Sequence, residues 1–118
     1  MVEMADYKSS ALNGLSRDIL AVNKANGWDV IEPSDWSEND PPNVDKLMRM
    51  LALIHSEASE GVEAVRKGDR DNFVEELADV IIRCLDATAG LGVDIGPVVL
   101  AKLEKNRHRG RRHGGKLA

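Results

Sequence analysis

Apolar positions recur at helical spacing in four segments of the chain. Leu12, Leu15, Ile19 and Val22 lie three or four apart and predict a first helix over 7–25. Ile54, Ala58, Val62 and Val65 form a second stripe, and Phe73, Leu77, Ile81 and Cys84 repeat it at the same spacings. Val98, Leu100, Ala101 and Leu103 mark a shorter fourth. Asn43 suits the cap of helix two, which runs to Lys67, where Arg66 and Lys67 favour the C-terminal dipole and Gly68 stops the helix. Asp69 or Asp71 caps a third helix running from about Asp71 to Leu91, and Asp94, with Pro97 in the first turn, opens the fourth. No convincing strand is present. The expected fold is all-α: a single domain over 1–118, built as a four-helix bundle completed by oligomerisation.

Two segments break the pattern. Residues 26–43 hold Asn26-Gly27, Pro33 and Pro41-Pro42 and predict a long loop, a length that in compact domains often serves function. Trp28 and Trp36 stand in it, two of four aromatic residues in the chain. They either anchor the loop to the core or offer a ring face to a nucleobase. Residues 107–118 contain three glycines and predict a loop or mobile tail. The run Gly90-Leu-Gly-Val-Asp-Ile-Gly96 loosely imitates a dinucleotide-binding loop, but no strand precedes it, so it reads as a helix end.

Charge sharpens this outline. Residues 102–118 hold seven of the 16 Lys and Arg and one of the 20 Asp and Glu, leaving the tail at +6 and the preceding residues at −10. An acidic body beside a basic tail suits a phosphorylated small molecule held between them. A single cysteine, Cys84, excludes a disulfide or zinc framework and fits a reducing cytoplasm. No apolar run approaches about 18 residues, so no membrane segment is expected. At 118 residues with 42% hydrophobic content the core is thin, and a second chain is expected to cover the apolar residues of helices one and four.

The candidate chemistry lies in Glu57-x-x-Glu60 and Glu76-x-x-Asp79. Carboxylates three apart on a helix are separated by about 60° and share a face. Glu60 and Glu76 each lie eight residues from Gly68, and Glu57 and Asp79 each lie eleven. An antiparallel hairpin therefore sets both pairs level, roughly 12–16 Å from the turn. Four carboxylates brought together repel one another and lose hydration, which a hard divalent cation relieves; oxygen ligands suit Mg²⁺ or Mn²⁺. Arg83 and Asp86 continue this face along helix three, whereas Glu75 points away from it. His55, His108 and His113 do not form the Glu-x-x-His pairs of a di-iron bundle.

These residues resemble the all-α nucleoside triphosphate pyrophosphohydrolase superfamily, which includes MazG-type enzymes, dimeric dUTPases and phosphoribosyl-ATP pyrophosphohydrolases. The similarity is greatest to short, stand-alone MazG-like proteins. It also takes in Glu75-Glu-Leu-Ala-Asp-Val-Ile-Ile-Arg83, Gly90-Leu-Gly-Val-Asp94 and Lys102-x-x-x-Asn106-x-x-Arg109-x-x-x-His113-Gly-x-Lys116, so that it spans about residues 10–116. The resemblance implies Mg²⁺ on Glu57, Glu60, Glu76 and Asp79. It implies substrate contacts from Lys102, Asn106, Arg109, His113 and Lys116; Trp28, read from the loop itself, is the candidate base-stacking residue. Ser56 stands where many members carry a further glutamate. The implied reaction is hydrolysis of a nucleoside triphosphate to monophosphate and pyrophosphate, with Glu60 as candidate base and a homodimer or homotetramer as the assembly. Nucleic acid is not the expected partner. The competing reading is a non-enzymatic helical module that binds nucleic acid or protein through its basic tail.

Overall fold

The structure, a computed structural model, describes residues 4–109. They form α1 (Met4–Ala25), α2 (Val44–Lys67), α3 (Arg70–Gly90) and α4 (Ile95–His108), with a short 3-10 turn at Pro33–Asp35. No strand occurs among the described residues. Gly68 adopts the left-handed conformation at φ 69° and its N–H donates to the Ala64 and Val65 carbonyls, ending α2. Asp69 Oδ1 accepts from the Asn72 N–H at 3.1 Å and starts α3.

The start of α4 departs from expectation. Asp94 does not cap it; its carboxylate pairs with Arg17 of α1 at 3.2 Å, and the Gly96 N–H donates to Asn13 Oδ1 at 2.6 Å. A side chain from another helix thus satisfies the orphan donor. Arg107 and His108, expected in the tail, belong instead to α4, which continues through His108. Glu104 meets Arg107 at 3.4 Å and His108 at 2.8 Å, supporting that last turn from the same helix surface.

The central helix is α3, which packs against both α2 and α1, while α4 packs mainly on α1. A buried hydrogen bond from Ser16 Oγ to the Leu85 carbonyl, 2.6 Å long, ties α1 to α3. The long loop returns to α3 through Val30 and Ile31, both buried. Gly90 permits this, since a Cβ there would collide with the Ile31 carbonyl. The tryptophans do not anchor the loop: Trp28 is 68% exposed and Trp36 is exposed as well. Its polar anchor is the buried Asp35, whose carboxylate accepts from Lys46 Nζ at 2.8 Å, the Glu32 N–H at 2.7 Å and Asn43 Nδ2 at 3.1 Å. The Lys46 hydrogen bond is the main cause that holds this carboxyl below its ordinary range.

Within the chain the core is small. Among the described residues Val30, Ile31, Ala64 and Leu85 are the buried apolar ones. The stripes beside the carboxylates are not covered: Val62, Val65, Leu77 and Ile81 are exposed, as are Leu15, Val22, Val98 and Leu103 of α1 and α4. The apolar surface left open is therefore broader than the two helices anticipated from sequence. The Cα radius of gyration is 16.5 Å, against about 13–14 Å for a compact chain of this length.

Candidate metal centre

The α2–α3 hairpin brings the two acidic pairs together at the level set by their equal distance from Gly68. One carboxylate oxygen from each of Glu57, Glu76 and Asp79 lies within 4.8 Å of the others. A Cβ added at buried Gly61 would stand 3.7 Å from the Cβ of Glu76, in ordinary van der Waals contact, so the two helices approach closely here. Glu76 is 9% exposed, and its Oε2 is buried without a hydrogen-bond partner among the described residues. Burial, followed by the adjacent Glu60 and Glu57 carboxyls and the charges of Glu60 and Asp79, pushes the Glu76 carboxyl up to about 7. Glu60 thus stands against Glu76 but outside the tight triad. Arg83 Nε donates to Glu57 Oε1 at 2.9 Å and supplies one positive charge to a group of four acids.

This arrangement fits a hard divalent cation. The donors are all carboxylate oxygens, three already converge, and a buried oxygen lacks a proton donor. Glu57, Glu76 and Asp79 would hold the ion, with Glu60 completing or flanking the set.

A cleft of about 280 Å³ opens from this centre, walled by α1, the long loop, α2 and α3. Glu57 and Asp79 lie at its metal end; Asn23, Trp28, Arg83 and Asp86 also line it. Trp28 therefore lines the same cleft as Glu57 and Asp79. Lys102 and Asn106 of α4 and Arg109 just after it do not line it, and all three are exposed. His113 and Lys116 lie outside the described residues. Asn23 and Asp86 are among the cleft residues to which the sequence assigned no role. Asp86 carried a usable signal, since it lies seven residues after Asp79 on the same face of α3. Asn23 had none, because only the packing of α1 on α3 brings it here.

The MazG nucleotide pyrophosphohydrolase domain model matches residues 46–113, a span that takes in both acidic pairs and α4. No curated protein and no solved structure matches the chain. The match disfavours a purely non-enzymatic binding module. With an all-helical fold and paired carboxylates on a helical hairpin, the chain belongs to the MazG nucleotide pyrophosphohydrolase domain family.

Proposed function

We propose that the protein hydrolyses a nucleoside triphosphate to the monophosphate and pyrophosphate, with Mg²⁺ or Mn²⁺ held by Glu57, Glu60, Glu76 and Asp79. The convergence of Glu57, Glu76 and Asp79, together with an unpartnered buried oxygen on Glu76, carries this reading. The bound cation would neutralise the triphosphate and acidify water. Glu60 accepts the proton of the attacking water. Its position outside the tight triad would leave it one oxygen for the water while the other reaches the ion. As the water oxygen bonds to phosphorus, a phosphoanhydride bond breaks and pyrophosphate departs. Trp28 stacks on the base from the rim of the cleft.

Lys102, Asn106, Arg109, His113 and Lys116 act on the phosphates from outside this chain's own cleft, through the tail or from a second copy. A homodimer or homotetramer is part of the proposal. The exposed apolar residues on all four helices and the extended shape favour it. A cytoplasmic setting suits the lone exposed Cys84. No single described helix is long and apolar enough to cross a membrane.

The test is pyrophosphate release from a nucleotide panel with Mg²⁺ and with excess chelator. Activity that survives the chelator, or orthophosphate as sole product, overturns the reading. Ending the chain after Lys105 should lower kcat/KM at least tenfold, about 1.4 kcal/mol; unchanged kinetics would remove the tail from the site.

A further inference from the structure

We propose that Asp86 reads the base edge of the bound nucleotide and favours bases that carry an exocyclic amine. This rests on the pyrophosphohydrolase reading and specifies the substrate class for the same cleft.

Asp86 is 5% exposed and lines the cleft, and its Oδ1 is buried without a hydrogen-bond partner among the described residues. Buried polar atoms are almost always paired, so an orphan at the wall of a cleft marks a place for a ligand's donor. Arg83, the cation that lines the cleft with it, already pairs with Glu57 at 2.9 Å. What remains for Asp86 is a neutral N–H or O–H brought by the ligand.

Position separates base from sugar. Asp86 lies two helical turns beyond Asp79, about 10 Å along α3. With the phosphates at the Glu57 and Asp79 end, the sugar falls between and the base reaches Asp86. The surroundings suit a base. Met50, Leu53 and Ile82 supply apolar wall, Trp28 an exposed ring, and Asn23 an amide that both donates and accepts.

The chemistry of the carboxylate then selects among bases. An ionised carboxylate only accepts. An exocyclic amine presents two N–H groups to it, as cytosine does to acidic side chains elsewhere. The ring N–H of uracil or thymine is flanked by two carbonyl oxygens, whose lone pairs face those of the carboxylate. Sites built around a buried polar group reject analogues that leave it unpaired.

The experiment uses the full chain with Mg²⁺ and two substrate pairs, CTP with UTP and ATP with ITP, each exchanging one amine for a carbonyl. Wild type should hydrolyse the amine member of each pair with kcat/KM at least tenfold higher. Asp86→Asn, nearly isosteric but able to donate, should narrow both ratios to within about threefold. A merely structural Asp86 would lower all four rates together and leave the ratios unchanged. Should Asp86→Asn fold poorly, N4,N4-dimethyl-CTP on the wild-type chain makes the same point and should fall to the UTP level. Equal use of both members of each pair, or ratios unmoved by Asp86→Asn, overturns the proposal alone. So does a change confined to the CTP-to-dCTP ratio, which would assign Asp86 to the sugar. Absence of hydrolysis with every nucleotide defeats the parent reading, and this one with it.

Discussion

Arg83 reaches across the α2–α3 hairpin and donates its Nε–H to Glu57 Oε1 at 2.9 Å, the one ion pair recorded within the acidic cluster among the described residues. Its side chain is a third exposed, so solvent screening reduces what the pair contributes. Arg83→Gln should destabilise the metal-free protein by about 1 kcal/mol, since the four acids then lack their neutralising charge. Mg²⁺ should recover most of that loss. Chemical unfolding of both proteins with chelator and with Mg²⁺ checks this; an equal loss in both media would mean that Arg83 acts only through packing.

Glu60→Gln separates a metal centre from a structural ion-pair network. Removing one of several crowded negative charges should leave the metal-free protein as stable as wild type, or more stable by about 1 kcal/mol. Turnover should drop by about 10²–10⁴, the range for loss of a general base. In a structural network the same change would instead destabilise the metal-free protein, by up to about 1 kcal/mol because Glu60 is exposed. Glu75→Gln, exposed on the other side of α3, is the control and should change little.

The raised Glu76 carboxyl predicts a pH dependence. Folding moves it from an ordinary 4.5 to about 7, so between these values the native state binds more protons than the unfolded state. Stability of the metal-free protein should therefore fall as pH rises from 4.5 to 7. Glu76→Gln should flatten that slope. Mg²⁺ competes with the proton, so the stabilisation it confers should grow across the same window. Melting temperatures from pH 4.5 to 8, with and without Mg²⁺, read all three effects, and a metal-free protein that gains stability over this window contradicts the assignment.

Gly90 is the seat of the long loop. A methyl group at this position meets the Ile31 carbonyl, a backbone atom that yields only if the loop moves. Gly90→Ala should cost about 1–3 kcal/mol. It should also raise KM, because the loop carries Trp28 into the cleft. A variant with wild-type melting and wild-type KM would show that the loop repacks freely.

The exposed residues Leu77 and Ile81 of α3 predict association. Melting temperature should rise with protein concentration, and Ile81→Lys should yield a smaller particle that melts independently of concentration. A monomeric mass for wild type at micromolar concentration, with concentration-independent melting, would exclude an obligate oligomer.

Local sequence determined the helices and the height at which the acids meet. Asn43, Gly68 and Asp69 are signals read by the adjacent backbone, so α2 and α3 begin and end close to where they were expected. The equal spacing of Glu57 and Glu60, and of Asp79 and Glu76, about Gly68 is a count along the chain, and helical rise converts it into proximity. Residue periodicity does not decide which apolar stripes are covered. Val62, Val65, Leu77 and Ile81 have core-like spacing yet remain exposed, because burial depends on which helix faces them. The tertiary structure likewise seated the loop on Val30, Ile31 and Asp35, leaving the tryptophans at the surface. It also gave Asp94 to Arg17 instead of its own helix, and kept Lys102, Asn106 and Arg109 off the acidic cleft. Asn23 and Asp86, 63 residues apart, share one wall only because α1 packs on α3. Such contacts form between segments that are remote in sequence, and no local pattern encodes them.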